Sequence, residues 1–324
     1  GRGFWILDDL GAIQNIKTTK QSLSIFKPKD TYLIFGGSVN RFVPGLGQNP
    51  KSGVTFDYYL NQDIDTLTLT LDVLKNGNIL RTISSEKAHN FKSWPGGPPK
   101  PQTLPAKEGY NRFTWDFNRN ALPGIENVFV HGSHVGGSVA PGNYTLRLSL
   151  GNTTAETEVT IIKDPTVNAT AAAYSDQQGM IDQIEAAIRE IHESVNSMRS
   201  AKTQLQDYAK LLKNNEDADS LLKTGEVLIK KINTWERQLI QPDQKTFQDV
   251  INFNNKLSSQ LMHLKGYIQA VDPTITAGAK ERLSDLISTW DVYRNERDVM
   301  MNKDMTNFNA QFSELNLPAI IIKD

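Results

Sequence analysis

Hydrophobic and polar positions change their period once along the chain, near Lys163. Before that point the period is two. In "TLTLTLDVL" (Thr66–Leu74), Leu67, Leu69, Leu71 and Val73 point one way and Thr68, Thr70 and Asp72 the other. That is a strand with one buried face. "KNGN" (Lys75–Asn78) supplies an Asn-Gly hairpin turn, and "ILRTIS" (Ile79–Ser84) returns from it. "TYLIF" (Thr31–Phe35), "VTFDYYL" (Val54–Leu60), "YNRFTWDF" (Tyr110–Phe117), "GNYTLRLSL" (Gly142–Leu150) and "AETEVTII" (Ala155–Ile162) are further β-branched and aromatic runs. Seven to nine such strands, with turn signals between most of them, predict a β-sandwich.

Pro165 in "KDPTVN" closes the β region, and helical periodicity follows. Ser175 and Gln178 carry a capping-box signature. Ile181, Ile184, Ile188, Ile191, Val195, Met198, Leu205, Ala209 and Leu212 then recur at three and four, with one break at Lys202. A second stripe runs from Leu221 to Leu239, a third from Phe247 to Val271, and a fourth from Leu283 to Leu315. Short connections such as "QPDQ" and "VDPT" predict an antiparallel up-down four-helix bundle. The apolar tail Ala319–Ile322 is expected to dock as an extra strand. The expected division is 1–22 as a lead-in segment, 23–163 as the sandwich and 164–324 as the bundle. Three long irregular stretches interrupt the β half: Gly36–Gly53, Glu86–Glu108 and Asn118–Ala140. Loops of such length are commonly functional or disordered.

Composition narrows the chemistry. The 324 residues contain no cysteine, which excludes disulfides, thiolate nucleophiles and zinc ribbons. A net charge of -1 gives no electrostatic footprint for nucleic acid. No apolar run reaches the roughly 18–20 residues that span a bilayer.

Few residues remain as site candidates. Asp8 and Asp9 follow the apolar run Phe4–Leu7, but adjacent strand residues face opposite ways and cannot act as a pair on one substrate. His131 and His134 in "HGSHVGG" are close enough to share a metal, yet spacing names no third ligand. His192 and His263 lack the Glu-x-x-His spacing of bundle di-metal sites, since Arg189 and Gln260 stand three residues before them. Trp94, in "WPGGPPKP", is either a sugar-stacking platform or a plug between domains. The usual deep burial of tryptophan favours the plug.

"GRGFWILDDL", "GVTFDYYL", "EGYNRFTWDF" and "APGNYTLRLSL", in that order, with "FNNKLSSQLMHLKGYI" and "LPAI" behind them, resemble a known family. It is the C-terminal region of exported bacterial sortilin-like, BNR-repeat β-propeller proteins, often labelled glycosyl hydrolase-like. "GYNRFTWDF" with "APGNYTLRL" is also similar to the immunoglobulin-like domain of flagellar hook-capping proteins. The resemblance implies an Ig-like β-sandwich followed by the four-helix bundle, with a propeller exit strand and linker over 1–22. It also implies a periplasmic or cell-surface location, and a propeller as partner. It carries over no catalytic residue and no cofactor. The Asp-box pattern Ser-x-Asp-x-Gly-x-x-Trp occurs nowhere in the chain.

The expected function is therefore a non-catalytic structural or interaction region. The alternative is a carbohydrate-binding or accessory part of a glycoside hydrolase, for which Trp94, Tyr110, Asp8, Asp9 and His131 are the candidate residues. A third reading is a protein-docking platform on the bundle, which a large exposed apolar patch would support.

Overall fold

The computed structural model describes residues 10–15, 21–34, 51–64 and 66–316. The expected strand Phe4–Leu7, Asp8, Asp9, most of the loop Gly36–Gly53 and the Ala319–Ile322 tail lie outside them. After a short helix α1 (Gly11–Asn15) come eight strands: β1 (Leu23–Ile25), β2 (Thr31–Leu33), β3 (Val54–Leu60), β4 (Leu69–Lys75), β5 (Asn78–Ser84), β6 (Gly109–Trp115), β7 (Gly142–Leu150) and β8 (Thr153–Lys163). They form a three-stranded sheet β1-β3-β6 and a five-stranded sheet β2-β8-β7-β4-β5. Asn76 and Gly77 both take positive φ, 51° and 79°, as the predicted hairpin turn requires. Phe56, Tyr58 and Trp115 of the smaller sheet share one apolar core with Leu71, Tyr144 and Leu146 of the larger. The Trp115 and Tyr144 rings meet edge to face at 5.7 Å.

The expected Ig-like β-sandwich is overturned by how the strands pair. The larger sheet is mixed, because β2 joins β8 in parallel with Thr31 opposite Ile161. Neither strand order is that of the immunoglobulin fold. Alternation identifies a strand and its buried face, but it carries no information about the partner strand. The strand predicted through Phe117 also stops earlier, at Trp115. Phe117 takes φ +63° while its ring stays buried. Packing holds this bulky residue in the left-handed region, and there the chain leaves the sheet for the long loop 118–140.

The helices arrange themselves in three rows rather than as an up-down four-helix bundle. Helix α2 (Ala171–Leu212) has 42 residues, about 63 Å of rod. It begins at the Thr170 cap, whose Oγ1 accepts from Ala173 N, so Ser175 lies inside the helix and caps nothing. Helix α3 (Asp219–Leu239) runs antiparallel along the C-terminal half of α2, with Glu236 against Arg199 and Asn233 against Lys202. Helix α4 (Leu257–Ile268) runs antiparallel along the N-terminal half, with Ser258 against His192 and the Ile268 carbonyl against Gln177. The two therefore point the same way and share one row. The predicted third helix is shortened to make this possible. Phe247–Ile251 is a 3-10 turn, held by the Asp249 carboxylate accepting from Lys245 N and Thr246 N. The third row is α5 (Ala277–Val299), a π-helical turn Met300–Met305 and α6 (Thr306–Glu314).

A non-helical segment completes the packing. Leu122, Ile125, Val128 and Val130 of loop 118–140 belong to the apolar core of the helical half. The loop doubles back tightly: a Cβ on Gly136 would stand 2.3 Å from Asn120 O and 2.4 Å from Arg119 O. Gly179 on α2 has nothing within 4 Å of the same position. Gly136→Ala is expected to destabilise the protein by about 3 kcal/mol, since backbone must move. Gly179→Ala should stabilise it by about 0.5–1 kcal/mol through helix propensity. Urea unfolding of the two variants checks both.

Candidate functional site

The most concentrated chemistry lies where loop 118–140 meets α2 and α4. His192 is fully buried one position along from Ile191 on the apolar stripe of α2. Its Nδ1 stands 2.6 Å from Pro123 O, and a carbonyl can only accept, so Nδ1 carries the proton. Its Nε2 then accepts from Ser258 Oγ at 2.5 Å. His134 lies 5.4 Å away, ring to ring, between two carbonyls: Pro123 O at 3.2 Å and Gly96 O at 3.1 Å. With one ring proton it donates to only one of them.

A charged cluster continues this seam. Lys265 is buried on α4 and donates from Nζ to Val135 O at 2.5 Å. Glu185 on α2 stands 3.6 Å from the same ammonium and accepts from Gly137 N at 2.5 Å. Arg119 approaches Glu185 at 3.8 Å and also pairs with Asp182. Burial pushes the Lys265 ammonium down in pKa, and the Glu185 carboxylate pulls it back up. Burial likewise lowers His134, against the pull of its carbonyl partners. His192 is lowered to about 4, chiefly by burial. Ser258–His192 has the atoms of a nucleophile and a base, but both side chains are sealed from solvent. A nucleophile needs a place for the reacting atom beside it, so this pair is built as a joint.

The sequence candidates fall in separate places. Trp94 is half-buried between Gly97 and Gly124, whose Cβ positions would meet its ring at 2.6 and 2.7 Å. Its Nε1 donates to Val128 O at 2.9 Å, which ties the loop 92–98 to loop 118–140. His131 does not pair with His134. It meets His263 of α4, with Nδ1 and Nε2 2.6 Å apart. Tyr110 lies on the outer face of the three-stranded sheet, stacked with Phe26 at 5.8 Å and edge-on to Tyr59 at 6.2 Å. Beside these rings Arg112 donates twice to Asp57, at 2.7 and 2.9 Å. Asp8 and Asp9 lie outside the described residues.

A second feature is apolar. Val227 on α3 and Val292 and Val299 on α5 are 57%, 56% and 54% exposed along one groove of about 880 Å³. Trp235 lies in its lining and donates from Nε1 to Tyr293 O at 2.7 Å. The π turn contributes Met300 and Asp304, and the Lys231–Asp304 pair at 2.6 Å stands at one side. No helix among the described residues is long and apolar enough to cross a membrane.

Sequence reasoning passed over Ser258, Lys265 and Glu185. A signal existed for all three, because Lys265 follows Leu261 by four and Ser258 precedes it by three on the buried stripe of α4, and Glu185 follows Ile181 by four on that of α2.

The buried His192 makes stability depend on pH. An unfolded histidine binds its proton near pH 6.5, whereas the folded one waits until about 4. Between those values the unfolded state holds more protons, so stability is full above pH 6.5 and is lost as pH falls to about 4. The loss is roughly 3 kcal/mol, and His134 adds to it in the same direction. Urea midpoints between pH 7 and 4 should show this slope, and the His192 imidazole signals in NMR should not titrate above pH 5.

Among known proteins, the chain matches no family model and no curated sequence.

Proposed function

We propose that this chain is the non-catalytic structural and interaction region of an exported bacterial β-propeller protein, acting at the periplasm or cell surface. The propeller itself is the partner, and the α3–α5 groove is the face that receives it. The groove carries the reading. Three valines more than half exposed along one channel form an apolar surface with no partner inside the described residues. Such surfaces in soluble proteins mark contacts. The histidine, serine and lysine groups capable of chemistry at the loop–bundle seam are meanwhile engaged in joining loop to helices. The propeller assignment rests on the motif order "GRGFWILDDL" to "LPAI" described above.

The test expresses the chain with the residues encoded upstream of it and compares hydrogen exchange with the chain alone. The expected result is Asp-box repeats upstream and slower exchange in 227–235 and 292–304. An unrelated upstream fold, or unchanged exchange in both segments, overturns the reading.

A second reading has its own observation. On the outer face of the three-stranded sheet, Tyr59 and Tyr110 stand beside the bidentate Asp57–Arg112 pair. Aromatic rings next to fixed polar groups suit a sugar, whose C–H face stacks while its hydroxyls bond. In affinity electrophoresis through polysaccharide gels this reading expects retardation that Tyr110→Ala reduces at least fivefold. Equal mobility with and without polysaccharide rejects it.

A further inference from the structure

We propose that His131 and His263 form a surface site for a divalent transition metal of the copper(II) and nickel(II) class. The ligating atoms are His131 Nδ1 and His263 Nε2, with solvent completing the coordination sphere.

The geometry comes from two elements that sequence separates by 132 positions. His131 lies in loop 118–140 and His263 on α4, and their ring nitrogens Nδ1 and Nε2 stand 2.6 Å apart. Their ring centroids are 4.7 Å apart and their planes differ by 27°. Two imidazoles in adjacent corners of a square-planar ion, with bonds of about 2.0 Å, place their nitrogens about 2.8 Å and their centroids about 4.5 Å apart. The pair is within a few tenths of an ångström of that arrangement. A tetrahedral ion needs the nitrogens about 3.3 Å apart, a larger movement, so zinc fits less well. Imidazole is a good ligand for copper and nickel. Among the described residues no cluster of three or more histidine, aspartate or glutamate ligands forms. The site is therefore an open, two-ligand chelate.

The surroundings hold the ligands in place. Gly132, next to His131, packs so closely on Met262, next to His263, that a Cβ there would fall 2.5 Å from the Met262 Cβ. The backbones bearing the two histidines are thus fixed against each other. The Phe247 ring, 67% exposed, lies 5.0 Å from His131. Metal in this position would take the place of the N–H···N contact, the bridging proton passing to the other nitrogen of its own ring, and would fasten loop 118–140 to α4 at its exposed edge.

The test titrates the intact chain with copper(II) and nickel(II) chlorides at pH 7.5, following heat and, for copper, the electron paramagnetic resonance spectrum. The expected result is one equivalent bound, superhyperfine structure from two nitrogens, and affinity at least tenfold lower in both His131→Ala and His263→Ala. His89→Ala, at an exposed histidine elsewhere, should bind as the parent does. Circular dichroism confirms that the variants fold. An affinity within twofold of the parent in either pair variant, a one-nitrogen spectrum, or no binding overturns the proposal.

Discussion

A loop that runs between a sheet and a helical core carries its backbone donors and acceptors into the interior, and each needs a partner there. In loop 118–140 some partners are other backbone groups, as where Leu122 N donates to His134 O, and the rest include side chains from the helices. Lys265 reaches Val135 O, Glu185 takes Gly137 N, and His192 holds Pro123 O. Burying an ammonium and a carboxylate is costly, and their attraction at 3.6 Å offsets that cost only because each also bonds to the loop. Such pairs contribute more to fixing one arrangement than to raising stability. Removing either partner would leave a buried charge unmatched. The loop thus has one registered position on α2 and α4, and its apolar residues Leu122, Ile125, Val128 and Val130 follow into the helical core.

That joint engages the residues whose groups could otherwise serve chemistry. Histidine, serine, lysine and glutamate are chosen here for donor and acceptor geometry. Ser258 and His192 face each other at 2.5 Å because a buried imidazole needs an acceptor for one nitrogen and a donor for the other. The exposed features lie elsewhere. They are the α3–α5 groove, the aromatic row around Tyr110, and the histidine pair at the loop edge.

Local pattern and long-range arrangement were legible to different degrees. The strict alternation in Leu67–Val73 and the Asn76-Gly77 turn identify β4, β5 and their hairpin, because both are set by neighbours in sequence. The same alternation says nothing about β2 lying parallel to β8, a pairing between strands far apart in sequence. On the helical side the stripes give three helices nearly to their ends. They do not reveal that Thr246 and Asp249 convert the start of the third stripe into a 3-10 turn. That turn lengthens the connection after α3, so α4 continues its row instead of reversing it. The site was hidden for the same reason: His131 and His263 meet only after loop and helix have packed. Lys265 and Ser258, by contrast, announced burial by standing on an apolar stripe.

The π turn Met300–Met305 links this packing to the groove. Below it, α5 faces α2, with Trp290 Nε1 donating to Glu190 and Arg297 Nη1 to Ser194. Above it, α6 faces α3, with Phe308 against Gly225 and Gln311 accepting from Thr224. A continuous α-helix keeps one stripe inward, whereas an extra residue in one turn advances the stripe by about 100°. The π turn supplies that advance and changes the helix that the third row packs against. At the changeover the row is committed fully to neither neighbour, and Val292 and Val299 are left in solvent opposite Val227. The groove is therefore a consequence of the register change. Straightening the π turn would require Phe308 to leave Gly225, so the groove persists as long as the α3–α6 contact does.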